Sequence, residues 1–336
     1  MTHHRHHLGE RNLRIGVKIW LFFMLFVCVV FLLMRLLPND YYFTEEQLIK
    51  LTDEQQHDIL EKAGMLDHPL VQLGRYLKGI LLHGDFGVSH RIQTGKSVTS
   101  IIVSRFGISM RLGLIALVFS LLIGVPSGIL QARFKDGLYD HIGTAFTIFI
   151  NAVPHLVSYS LVMVFGARLL GLPSMYSGRK VWKFMLFGMQ CKFNYSQILP
   201  IICLSLGSIA SYMLWMRRYM VDELNKDYIR LAKLKGLSST RVMFSHVMKN
   251  AFLPLAQYLP YSVLLTVGGS ILVERFFSVP GIGNLLPDAI AKFDVNCVQA
   301  LVILYASLGI IGLFLGDLLM TLLDPRISLV EKGGTR

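Results

Sequence analysis

Asp227-Tyr228-Ile229-Arg230-Leu231-Ala232-Lys233-Leu234-Lys235-Gly236-Leu237-Ser238 lies inside a polar interval, 217–254, flanked by long apolar runs. The interval is too polar to cross a bilayer and too patterned for a plain linker. Val221, Leu224, Tyr228 and Leu231 recur at helical spacing, which predicts one apolar face; Lys226, Arg230 and Lys233 recur on another. Gly236 suits the left-handed position past a helix C-terminus, and Ser238 or Ser239 can cap the helix that follows. The expected product is a helix, a glycine turn and a second helix, projecting from a membrane. Such an element fits a groove on a partner protein or the anionic headgroups of the bilayer. Periodicity alone does not choose between them.

Working outward, the chain has 336 residues, of which 53% are apolar and 16% charged. Soluble domains carry about 25% charged residues. A crossing helix needs about 20 mostly apolar residues. Six runs qualify: 19–34, 112–131, 142–167, 196–216, 251–273 and 298–319. The first has Lys18 and Arg35 at its ends and no small-residue cleavage site after Met34, so it is expected to be a span and not a signal peptide. The span interiors are essentially free of Lys, Arg, Asp and Glu, each of which costs about 2.5–3.5 kcal/mol at mid-helix. Asp317 falls near an edge. No mid-span relay of Asp, Glu or His marks a proton-coupled pump, which argues against a secondary transporter.

Arg5, Arg11, Arg14 and Lys18 precede the first run, Arg133 and Lys135 follow the second, and 217–249 is densely basic. An even number of spans puts all three on one side, the cytoplasm by the positive-inside rule, with both termini there too. The acid-rich connection 38–104 (Asp40, Glu45, Glu46, Asp53, Glu54, Asp58, Glu61, Asp67, Asp85) and 171–195 fall outside. The net charge of +12 fits positive charge held near lipid headgroups. It lacks the aromatic interleaving of a nucleic-acid platform, so no nucleic-acid partner is expected.

Other features weigh less. Cys28, Cys191, Cys203 and Cys297 form no CxxC pair and are expected to be small buried hydrophobes. His3, His4, His6 and His7 form a solvated tail with no second shell to hold a metal. Pro126, Asn151, Pro154 and Pro260 interrupt spans, as kinks or as parts of a polar pathway. Gly268, Gly269, Gly309, Gly312 and Gly316 would allow close helix approach. His90-Arg91-Ile92-Gln93-Thr94-Gly95-Lys96-Ser97 is one residue from a phosphate-binding loop, but it follows no buried strand and is expected outside. No GxSxG or HExxH motif supports an intramembrane hydrolase.

The 227–238 stretch resembles the signature loop of binding-protein-dependent ABC importers. Its continuation His246-Val247-Met248-Lys249-Asn250-Ala251-Phe252-Leu253-Pro254 is similar to the dipeptide and oligopeptide branch. Where the general pattern has Glu-Ala-Ala before the glycine, this chain has Arg230-Leu231-Ala232. Gly84-Asp85-Phe86-Gly87-Val88-Ser89, with Asp67-His68-Pro69 before it and Val98, Ile102 and Arg105 after it, resembles the outer loop of that branch. Phe277-Ser278-Val279-Pro280-Gly281-Ile282-Gly283 resembles its motif between spans five and six, and Asp324-Pro325-Arg326 its C-terminal ending. Departures are Gly107 and Ser109 where Pro and Thr are usual, Pro38-Asn39-Asp40 in place of Gly-Asp-Pro, and the 171–195 connection with Arg179, Lys180 and Lys183.

The resemblance implies an all-α integral membrane protein with six transmembrane helices: a type I ABC importer permease with a cytoplasmic coupling loop, 217–250, between spans four and five. The implied organisation is a cytoplasmic tail (1–18), span one (19–37), an external loop (38–104), a permease core (105–326) and a cytoplasmic tail (327–336). It implies ATPase coupling through Leu224, Asp227, Tyr228, Arg230, Leu231, Ala232, Lys235, Gly236 and Arg241. The implied partners are a second homologous permease in a heterodimer, two ATP-binding subunits, an extracellular or periplasmic peptide-binding protein and the bilayer of a bacterial cytoplasmic membrane. The chain itself is expected to be no enzyme and to hold no cofactor or metal, ATP and Mg being bound by the ATPase partners. A nickel or other small-solute permease of the same family is the alternative cargo reading. A non-transporting scaffold would leave the loop unexplained.

Overall fold

A computed structural model describes residues 21–38, 43, 45–62, 64–177, 181–186 and 189–323. The histidine tail, Asn39-Asp40, Arg179-Lys180, Asp324-Pro325-Arg326 and the two terminal tails lie outside the described residues, as do the side chains of Lys183 and Cys191. In order come α1 (Leu21–Met34), α2 (Glu45–Lys50), α3 (Asp53–Lys62), α4 (Pro69–His83), α5 (Val98–Arg133), α6 (Leu138–Ala152) and α7 (His155–Leu170). The strands β1 (Val181–Leu186) and β2 (Met189–Asn194) precede α8 (Ile198–Leu224), α9 (Asp227–Leu234), α10 (Ser239–Arg241) and a π-helical turn (Val242–Val247). Then follow α11 (Met248–Ala251), α12 (Leu253–Val267), α13 (Ile271–Phe276), α14 (Leu285–Ala291) and α15 (Val295–Leu323).

The fold is that of a helical integral membrane protein. Four helical stretches are long and apolar enough to cross a bilayer: Val98–Arg133, Tyr195–Leu224, Leu253–Phe276 and Val295–Leu323. The run expected as one span over 142–167 is instead two helices, α6 and α7, bent by 110°. The cause is Pro154. It disfavours the helical region for the residue before it, and Val153 is extended at φ −79°, ψ 129°. Counted as one broken span, the pair is long and apolar enough for a fifth crossing, and α1 is a shorter apolar helix. Pro126 and Pro260, by contrast, sit inside unbroken helices. The 171–195 connection holds the one strand pair among the described residues, an antiparallel hairpin pairing Val181 with Asn194 through Leu186 with Met189.

Two compact units divide the chain: Met1–Arg105 with Leu285–Ile310, and Phe106–Asn284 with Ile311–Arg336. In the first, Asp294 accepts hydrogen bonds from the Ser89 hydroxyl (2.5 Å) and from the Arg91 and Ile92 amides (3.0 Å each). These amides belong to the stretch that resembles a phosphate-binding loop. They are committed to an internal carboxylate, which accounts for the turn without a nucleotide.

The second unit contains a buried carboxylate, Glu274, 2% exposed on α13. Its Oε1 accepts from the Ser109 hydroxyl (2.7 Å) and the Ser270 amide (3.3 Å), and its Oε2 from the Asn284 amide (3.3 Å). Ser109 Oγ in turn accepts from the Ile282 amide at 2.8 Å. Gly268 and Gly269 were expected to bring helices close; instead Gly269, at φ +84°, ends α12 and lies against this carboxylate. A Cβ at Gly281 or Gly283 would also meet it. The glycines of the 277–283 motif are therefore the space that lets the backbone close around Glu274. Replacing Glu274 by Ala leaves several buried donors unmade at about 1–3 kcal/mol each. A fall in melting temperature of the detergent-solubilised protein is expected, larger than for Glu274→Gln.

Candidate functional site

The polar interval is built from the membrane side outward. Helix α8 does not stop at the predicted edge of its span but continues to Leu224, and Asn225 caps it. Lys226 is extended (φ −75°, ψ 148°) and α9 starts afresh at Asp227. This break corrects the apolar face drawn through Val221, Leu224, Tyr228 and Leu231. Val221 and Leu224 belong to α8 and are half-buried against the unit's core. On α9 the phase has changed: Ile229 and Ala232 are buried, at 0% and 7% exposed, among Met216, Met220, Val242 and Val247. Tyr228, Leu231 and Leu234 face outward at 39%, 53% and 84%. One face of α9 thus holds it to its own chain, and the other offers Leu231 and Leu234 beside Asp227, Arg230 and Lys235, all exposed.

Gly236 has φ +78°, and a Cβ added there would stand in open space, with nothing within 4 Å. It serves as a left-handed turn residue and not as a packing glycine. Ser238 caps α10, accepting from the Arg241 amide at 3.4 Å. Arg241 is exposed and Thr240 accepts from Arg133 at the end of α5 (3.4 Å). The second helix expected after the glycine turn is interrupted by the π-helical turn, a common mark of functional segments.

Sequence reasoning missed the junction that fixes α9. Glu223, 8% exposed in the last turn of α8, is bonded by the Tyr228 hydroxyl, by Asn250 Nδ2 (3.3 Å) and by Lys226 Nζ (2.9 Å). Asn250 Nδ2 also donates to the Tyr228 oxygen at 2.7 Å. Donors and acceptors balance: the tyrosine gives its proton to the carboxylate and receives one from the amide. Burial, and then the Glu223 carboxylate, push the Tyr228 phenol up to about 12. The hydroxyl therefore keeps its proton at physiological pH. Because the folded value lies above the ordinary one, its contribution holds at lower pH and is lost as pH rises toward 12.

The same unit encloses a cavity of about 800 Å³, walled by α5, α6, α7, α8, α12 and α15. Its lining is rich in groups that bond without charge: Asn151, Ser158, Ser208, Ser211, Tyr212, Tyr258 and Tyr261. Pro154 makes the kink, and the bend sets Asn151 and His155 on the cavity wall. As for metals, one group of ligand-type side chains comes together among the described residues. His57, Asp58 and Glu61 are all exposed on α3, as acidic surface groups commonly are without an ion.

Residues 124–329 match the family model described as "Binding-protein-dependent transport system inner membrane component". The chain belongs to this family. It is similar to the "Oligopeptide transport system permease protein AppB" of Bacillus subtilis (strain 168), 31% identical over 89% of this chain and 92% of the relative. It is also similar to the "Dipeptide transport system permease protein DppB" of Lactococcus lactis subsp. cremoris, 31% identical over 94% and 98%. The "Oligopeptide transport system permease protein AmiC" of Streptococcus pneumoniae is 34% identical over 66% of this chain, and the chain spans 42% of that longer relative. Among solved structures, "Inward facing conformations of the MetNI methionine ABC transporter" matches with a TM-score of 0.53 at 15% identity, covering 67% of this chain and 96% of that one. That likeness shows the shared fold, the type I importer permease. The chain is accordingly a multi-pass membrane component of a binding-protein-dependent transport system.

Tyr228→Phe keeps the ring and removes the hydroxyl from this junction. Expected are normal membrane insertion and retained ATPase association, with solute uptake per ATP hydrolysed reduced several-fold. Measuring both rates in reconstituted vesicles checks it, because a folding defect would lower them together.

Proposed function

We propose that this chain is one permease subunit of an ATP-driven peptide importer and forms half of its translocation pathway. One observation carries the reading. A membrane bundle with a large cavity lined mainly by apolar and uncharged hydrogen-bonding groups is joined, through a fixed polar junction, to a helix with free apolar side chains. A cavity of this size falls in the range that holds small organic ligands. Hydroxyls, amides and tyrosine faces suit a peptide of any sequence, since they meet the backbone without selecting a side-chain charge. The names of the similar permeases, oligopeptide and dipeptide, support peptide as the cargo class.

The partners of this reading are a second homologous permease, two ATPase subunits and an external peptide-binding protein. The chain holds no cofactor of its own; ATP and Mg reside on the ATPases, and the chain is not itself the enzyme. It crosses the membrane six times, α1 first and the bent α6–α7 pair third, with both termini and 217–250 in the cytoplasm and 38–104 outside. The core extends over 105–326. ATP binding draws the ATPases together, and α9 transmits that movement to α8 and α11 through Glu223, Tyr228 and Asn250. The cavity turns outward to receive peptide and inward to release it.

The coupling residues of the 217–250 loop take three roles. Leu231, with Leu234 beside it, enters the ATPase groove, and Asp227, Arg230, Lys235 and Arg241 form its charged rim. Leu224, Ala232 and Gly236 shape the element, while Tyr228 fixes it. Deletion of the gene is expected to abolish uptake of labelled di-, tetra- or longer peptides and to leave nickel uptake unchanged. Loss of nickel uptake with intact peptide uptake would contradict the cargo class.

Replacing Leu231 and Leu234 together by Ala removes two side chains worth about 1.5–3 kcal/mol each on burial. Co-purification of the ATPases should fall by orders of magnitude. Neutralising Lys226, Arg230 and Lys233 should cost much less, because exposed ion pairs contribute about 0–1 kcal/mol. The reverse ordering would make docking electrostatic.

A further inference from the structure

We propose that Asp317 is a binding site for the protonated amine of the cargo, an inference that rests on the peptide-importer reading. Among the described residues, Asp317 is the one carboxylate on the cavity wall, and no Lys or Arg lines it. It comes from α15, where Leu315 and Leu318 are its apolar neighbours. Its position is set by helix contact: Gly312 lies against the Tyr261 backbone and Gly316 against the Gln257 carbonyl, with no room for a Cβ. This approach lets Gln257 Nε2 donate to Asp317 Oδ1 at 2.9 Å. Among the described residues no cation pairs with the carboxylate.

Asp317 is exposed near the end of its span, and a carboxylate that opens onto a cavity with no basic lining residue is open to a cation. If tying α12 to α15 were its whole role, Asn would make the same bond to Gln257 without the charge. What the carboxylate adds over an amide is attraction for a cation. Tyr258 and Tyr261, on the same wall with ring centroids 5.5 Å apart, offer faces that also favour a cation. Every unblocked peptide carries a terminal ammonium, so one acid recognises cargo without reading its sequence. A lysine side chain offers the same chemistry.

The test uses the assembled importer in proteoliposomes with binding protein and ATP. A hydrophobic carbodiimide labels Asp317, read by mass spectrometry of the peptide that contains it. The probes are tri-alanine, N-acetyl-tri-alanine and N-acetyl-Ala-Lys-Ala. Tri-alanine is expected to slow labelling about tenfold, and N-acetyl-tri-alanine to leave it unchanged. Protection by N-acetyl-Ala-Lys-Ala as well assigns the site to any amine; its absence assigns it to the terminal one. Equal protection by all three, protection by none, or an Asp317 that resists labelling because the second permease supplies its counter-ion would each overturn the proposal. Uptake by the same vesicles separates the two readings. Tri-alanine uptake without protection removes the amine site alone, whereas no ATP-driven uptake removes the peptide reading and the site with it. Asp317→Asn, which keeps the bond to Gln257, should raise the half-saturating tri-alanine concentration about tenfold with assembly unchanged. An unchanged value contradicts the proposal.

Discussion

A nearly buried carboxylate at the end of a transmembrane helix must be satisfied, and Glu223 is satisfied by residues that follow it at two places in the chain. Tyr228 belongs to α9, Lys226 to the break before it, and Asn250 to α11. An unpaired buried charge is far more expensive than an unpaired neutral group. Satisfying Glu223 therefore fixes where α9 can point once α8 has ended. The apolar contacts of Ile229 and Ala232 with Met216, Met220 and Val247 hold the same helix from below. Direction comes from the polar junction and adhesion from the apolar face.

The same unit repeats this design at Glu274. There a carboxylate collects donors from α5 and the segment after α13, and glycines leave it the space. The cavity of this unit is lined by apolar side chains, hydroxyls, amides and rings, with one carboxylate, Asp317. A bundle that changes shape needs parts that stay rigid so that displacement at one end arrives at the other. The charged junctions supply rigidity, while a cavity wall with Asp317 as its one carboxylate can be exposed or covered with little cost in unpaired charge.

Much of this was legible in the sequence. Run lengths predicted four of the crossing helices, and Gly236 and Ser238 predicted the turn and the cap, because each depends on a few adjacent residues. What needed the structure depends on phase or on distant partners. The break at Asn225 and Lys226 shifts the helical phase, so a face drawn continuously from Val221 to Leu231 mixed residues that point to different sides. The break at Val153 and Pro154 turned one apolar run into two helices. Ser109 looked like a departure from the family pattern, yet its hydroxyl fills a definite role between Glu274 and the Ile282 amide. Glu223 and Asn250 stand 27 positions apart, and no local pattern announces that pair.

Held at Glu223, α9 is expected to move as one body with the end of α8. Spin labels at Arg218→Cys and Lys233→Cys, both exposed positions, measure the distance between the two helices in a background lacking the native cysteines. In the assembled importer that distance should stay the same, with the same width, in nucleotide-free and ATP-bound states. A change between those states approaching one helical turn, about 5 Å, would mean that α9 swings independently and that the Glu223 junction does not hold it.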